Sequence, residues 1–142
     1  MKTNLMKSIL MLLLIMSLTI VNALAQQDKK LENAEAKFCA SITNFVTALE
    51  TLDVVNYDPG ATMDEFNKAY KEAEKAYNKF EKAATKLEKV EIKESQKAYN
   101  KLVDAVNKID GDTKTSDATN EINGHLDNTA AEIADILTVV CK

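Results

Sequence analysis

The sequence predicts an all-α protein: an antiparallel, up-down-up-down four-helix bundle closed by one disulfide. Three observations carry that expectation. Apolar residues recur in steps of three and four through four successive segments, the spacing that aligns them on one face of a helix. Turn-forming residues gather between the first and second segments and again before the last. The two cysteines, Cys39 and Cys141, lie near the start of the first segment and the end of the last.

Residues 1–25 stand apart from the bundle and read as a secretory signal. Lys2 and Lys7 make a positive start, and Ile9 to Val21 is apolar except for Ser17 and Thr19. Ala23-Leu24-Ala25 then supplies the small residues that signal peptidase accepts. The apolar run is about 13 residues, short of the roughly 18 to 20 that cross a bilayer, so a cleaved signal is favoured over an anchor. No Cys stands at the cleavage position, which argues against a bacterial lipoprotein. No later stretch reads as apolar enough to span a membrane, so no insertion is expected after cleavage. The expectation is therefore a secreted or periplasmic domain over residues 26–142.

Charge narrows the partners. The full chain has a net charge of −4; without Lys2 and Lys7, 16 lysines face 22 acidic residues, a net −6. Every cation is Lys. Arg, which grips phosphate and carboxylate in a planar fork, is absent. An acidic chain without Arg argues against nucleic-acid binding and against attachment to anionic membranes. In an oxidising compartment two cysteines most simply pair; two free or metal-bound thiols are the alternative. A bridge closing a loop of about 100 residues stabilises by on the order of 4 kcal/mol in the chain-entropy model, a large share for a domain of this size.

In the first segment Leu31, Phe38, Ile42, Phe45, Leu49 and Leu52 form one stripe, with Glu35 interrupting it. Tyr57-Asp58-Pro59-Gly60 marks a turn. Thr62-Met63-Asp64-Glu65 fits a capping box. Met63, Phe66, Tyr70, Ala73, Tyr77, Phe80, Ala84 and Leu87 follow as the second stripe, opposite a Lys/Glu face expected to be solvated and laced with weak ion pairs. The polar run from Gly111 to Ser116 reads as the last loop. The final stripe is Ile122, Leu126, Thr129, Ile133, Ile136 and Val140, with Gly124 suggesting an ordered start nearer Leu126.

One ambiguity lies in the middle. Lys75-Ala76-Tyr77-Asn78-Lys79 recurs as Lys97-Ala98-Tyr99-Asn100-Lys101, an offset of two 11-residue units that suits one continuous helix over residues 62–109. Against this, Val90-Glu91-Ile92 alternates like an extended link, Glu91 and Glu94 interrupt the stripe, and Ser95 can cap a new helix. The disulfide favours the break. With three helices Cys141 would end about 22 Å from Cys39 at the helical rise, whereas a bridge needs Cα atoms within about 7 Å.

Candidate chemistry is sparse. Glu121 and His125 are four apart on one helical face, but there is no second His and no HExxH, so a metal site is not expected. Covalent haem needs C-x-x-C-H, which is absent; Met63 with His125 could ligate haem only non-covalently, and Met63 reads better as core filler. Tyr70, Tyr77 and Tyr99 repeat along the stripes, as core or as the lining of a ligand cavity. No carboxylate pair is marked by an apolar setting, and paired cysteines supply no nucleophile. No catalytic residue and no cofactor is therefore expected. The reading is a non-enzymatic bundle that binds a protein partner, ahead of a carrier of a small apolar ligand and ahead of an unrecognised enzyme. Nothing in the sequence sets an oligomeric state.

The signal reading has a direct check. Intact mass of exported protein should match a chain starting at Gln26, with or without pyroglutamate; a mass that retains the apolar run would refute cleavage.

Overall fold

The structure, a computed structural model, describes the backbone of residues 2–87, 90–109 and 116–141, and the side chains of 26–87, 90–109 and 117–141. Among the described residues are four helices: α1 (Lys2–Tyr57), α2 (Met63–Ala84), α3 (Lys93–Asn107) and α4 (Ser116–Val140). The chain divides into two compact units, Met1–Asn33 and Ala34–Lys142. The first is helical from Lys2 onward, an N-terminal apolar helix of the kind a signal sequence forms. The second holds the hydrophobic core.

Phe38, Ile42, Phe45, Leu49 and Leu52 of α1 are all buried, as their spacing requires. Leu31 is not. It is 51% exposed, because the packed part of α1 begins only at Ala34. By length and composition the helix over Gln26–Tyr57 is also apolar enough to cross a membrane, contrary to the sequence reading. Its large side chains from Phe38 onward pack in the core, and a core helix passes that test too.

The turn after α1 is held by the Gly60 N–H, which donates to the Asp58 carboxylate (2.8 Å). The capping box then forms as expected. The Thr62 N–H donates to Glu65 Oε2 (2.9 Å), and the Glu65 N–H donates to Thr62 Oγ1 (3.2 Å). These bonds hold the Glu65 carboxyl below its usual range, the Thr62 backbone donor contributing most. The charged face of α2 is not laced with ion pairs. Among the described residues the two bridges are Lys97–Glu94 and Lys108–Glu121, both exposed and neither on α2.

The central segment breaks, so the repeat is not one long helix. The break comes earlier than the 90–95 read from sequence: α2 stops at Ala84, and residues 85–87 unwind through short-range bonds such as Leu87 N–H to Ala84 O (2.9 Å). Stopping there lets Val90 and Ile92 pack against the core from the link. Ser95 does not cap α3. Ile92 is the N-cap and has no side-chain cap bond. Ser95 is buried inside the first turn, where its hydroxyl donates to Ile92 O (2.7 Å), the local bond a small hydroxyl makes once removed from water.

α4 runs through Gly124 without interruption from Ser116, not from Leu126. Tertiary packing overrides the weak propensity of one glycine: Ile122, Leu126, Thr129 and Ile133 are buried on both sides of it. The loop read over 111–116 lies, except for Ser116, outside the described residues.

α1 and α4 are joined at two places. Cys39 and Cys141 form a disulfide with Cα atoms 5.7 Å apart. Near the other end of α1, Asn56 Nδ2 donates to Asn123 Oδ1 (2.6 Å) and to Thr119 O (3.2 Å). Between these ties the core is aromatic. The Phe45 ring meets Tyr77 at 5.3 Å, Tyr99 at 5.6 Å and Phe80 at 5.9 Å between centroids, and Phe38 meets Phe80 at 5.6 Å.

Gly124 is exposed, and a Cβ there would meet nothing within 4 Å. Gly124→Ala should therefore stabilise the fold by about 0.5 to 1 kcal/mol through helix propensity alone, raising Tm by several degrees. A lowered Tm would show that α4 is not helical through this position.

Candidate functional site

Glu121 and His125 remain neighbours on α4, and Met63 lies at the start of α2. His125 is partly buried on α4, and its carbonyl accepts the Thr129 hydroxyl (2.7 Å). Glu121, its expected neighbour, is engaged by Lys108 (2.9 Å). That bond holds the Glu121 carboxyl below its usual range, with a smaller contribution from His125. Met63 packs against the core at the start of α2. Among the described residues no group of three or more His, Cys, Asp or Glu side chains could hold a metal ion.

The tyrosines do come together. Tyr77 and Tyr99, equivalent residues of the repeat, stack at 3.8 Å with planes 17° apart. Burial pushes the Tyr77 hydroxyl up to about 12, with Glu81 adding to the effect. Burial lifts Tyr99 further above the usual tyrosine range, helped by Tyr70, Glu74 and Tyr77. The Tyr99 hydroxyl is buried without a hydrogen-bond partner among the described residues. Tyr70 is partly exposed beside them. None of the three lines either recess described below.

The better candidate lies where the N-terminal end of α3 meets the C-terminal end of α4. An open groove of about 370 Å³ is lined by Val90, Ile136, Val139 and Val140 and by Ser95, with Glu91, Glu94, Glu132 and Asp135 around them. The local sequence explains this composition. The link after α2 alternates Val90-Glu91-Ile92, sending one type of side chain to the core and the other outward. On α4, Glu132, Asp135, Ile136 and Val139 fall three and four apart and share one strip of surface. Val139 is 72% exposed. Glu94 is taken by Lys97 (2.7 Å), while Glu91, Glu132 and Asp135 make no ion pair among the described residues. The volume is of the size that ligand and peptide grooves occupy. The apolar residues were legible as stripe or surface. Their meeting with the α3 acids was not, because it depends on where the link folds back.

A second acidic feature lies outside the groove. Asp53, partly buried on α1, is raised above its usual range by burial first and then by Asp127 of α4. No sequence pattern marks the pair, whose members are far apart in the chain.

No protein-family model, curated protein or solved structure matches this chain. The groove must be interpreted from its own chemistry.

Because the folded-state pKa of Asp53 is raised, its contribution to stability is present below the ordinary value of 3.8 and is lost as pH rises through the raised value. Asp53→Asn should therefore raise Tm at pH 7 by a few degrees at most, given screening at a largely exposed site, and leave it unchanged at pH 3. Thermal melts at the two pH values check this; an equal shift at both would show the effect is not ionisation.

Proposed function

We propose that this is an exported, non-enzymatic binding module whose α3–α4 groove receives a basic, partly apolar segment of a protein partner. The observation that carries the reading is the groove's composition. Apolar side chains left open to water offer contact area, and three unpaired carboxylates select for positive charge. Such charge complementarity steers encounter and fixes register more than it adds affinity, while the apolar floor supplies most of the binding energy.

The architecture behind this reading is an up-down-up-down bundle. The ties Cys39–Cys141 and Asn56–Asn123 support α1 and α4 running in opposite directions. The contacts Phe38–Phe80 and Tyr77–Tyr99 support short reversals between the other helices. Export, with cleavage after Ala25 into a secreted or periplasmic compartment, is supported by the apolar N-terminal helix and the disulfide. A carrier of a small ligand at Tyr70, Tyr77 and Tyr99 is the second reading, drawn from the unpartnered Tyr99 hydroxyl. It is less favoured because Phe45 and Phe80 already pack against Tyr77, and Phe45 also meets Tyr99.

A synthetic amphipathic peptide of Lys and Leu tests the groove. Amide resonances of residues 90–95 and 132–140 should shift on titration, and Glu132→Lys with Asp135→Lys should weaken binding about tenfold or more. His125→Ala should change neither fold nor affinity. Binding that survives the charge reversal, or shifts confined to other helices, would sink the proposal.

A further inference from the structure

We propose that a second recess, between α1 and α2, is a binding site for a ligand carrying several phosphate groups. It measures about 260 Å³ and is lined by Lys37, Lys79, Lys82 and Lys86, with Ser41 and the small side chains of Ala34 and Ala83. Among the described residues no carboxylate lines it. Helical spacing supplies part of the arrangement: Ala34, Lys37 and Ser41 share a face of α1, and Lys79 and Lys82 share a face near the end of α2, with Lys86 following in the turn beyond it. The Phe38–Phe80 contact brings those two stretches together.

Three features separate this recess from an ordinary solvated lysine face. None of the four lysines makes an ion pair among the described residues, although the chain as a whole is acidic. Glu81, the acid nearest in sequence to Lys82, turns to α3 and accepts a hydrogen bond from Gln96 Nε2 (2.7 Å). The alanines leave room between the helices for a ligand to approach the ammonium groups. The C-terminal dipole of α2 opposes the lysines, but it amounts to only about half a charge against four. The recess is therefore a local positive field on a negative protein.

The ligand chemistry follows from that field. Lys is a compact, strongly hydrated point charge that serves phosphate without requiring the planar fork of Arg. Lys79 and Lys82 from α2, Lys86 from the turn after it and Lys37 from α1 line the same recess, so several separate charges face it and favour linked phosphates over a single one. The negative balance and the absence of Arg argue against nucleic acid and anionic membranes as partners of the chain as a whole; they do not remove the local charge of this recess.

The test uses disulfide-bonded protein made from the full chain, titrated with inorganic tripolyphosphate and, separately, mixed with vesicles containing phosphatidylglycerol. Tripolyphosphate should shift amide resonances of residues 34–41 and 79–86, with affinity falling as salt rises. Lys79→Gln with Lys82→Gln should weaken it about tenfold or more and leave Tm unchanged. Lys97→Gln with Lys101→Gln removes the same charge from α3 and should change affinity less than about twofold. Vesicle binding lost in the α2 variant alone would support the site and identify a lipid headgroup as a source of the phosphate. Absence of tripolyphosphate binding, equal weakening by both double variants, or vesicle binding indifferent to Lys79 and Lys82 would overturn the proposal.

Discussion

The covalent link between Cys39 and Cys141 is the constraint on which the rest of this domain rests. It attaches the last described residue of the chain to α1 early in the packed unit. In the chain-entropy account, a loop this long removes on the order of 4 kcal/mol of freedom from the unfolded state. That is a substantial fraction of the stability such a domain has. The bridge also has a positional effect. With the end of α4 held there, the strip from Glu132 to Val140 stays beside the α2–α3 link, and the acid-rimmed groove exists at all.

What fills the space between the ties is chiefly aromatic. Phe45 touches rings from both α2 and α3, so one side chain of α1 couples three helices. Such ring pairs are worth about 0.5 to 1.5 kcal/mol each beyond the area they bury. Buried polar groups are satisfied in two ways: Ser95 and Thr129 each return a hydrogen bond to their own helix, and Asn56 bonds across to α4. The exceptions are Tyr99 Oη and Asn123 Nδ2, which lack partners among the described residues. Each costs about 1 to 3 kcal/mol, an expense the aromatic contacts around Tyr99 offset.

Much of the fold was legible because helical periodicity is a local property. The buried faces of α1, α2 and α4 follow from the spacing of Phe38, Phe66 and Ile122 with their neighbours, and the capping box at Thr62 follows from four consecutive residues. Errors arose where a local signal met a tertiary one. Ser95 has a capping residue's chemistry, but burial turned it inward. Gly124 weakens a helix, yet packing on both sides carries α4 through it. Leu31 fits the stripe but lies before the core begins. The groove was illegible because Val90 and Val139 are joined only by the path of the chain between them. The α2 lysines looked like half of an ion-paired surface; where their carboxylate neighbours turn is a matter of rotamer and partner, not of spacing.

The stacked pair formed by Tyr77 and Tyr99 has a use beyond packing. The chain has no Trp and only four tyrosines. Tyr57 is exposed and Tyr70 partly so, which leaves the stack as the most rigidly held phenol chromophore. Two phenol rings 3.8 Å apart in a fixed orientation couple their transitions, and that optical asymmetry lasts only while α2 and α3 stay in register. The far-ultraviolet spectrum would report helices wherever they are. The tyrosine band of the near-ultraviolet dichroism would report chiefly one interface, so loss of side-chain order there could be seen separately from loss of helix.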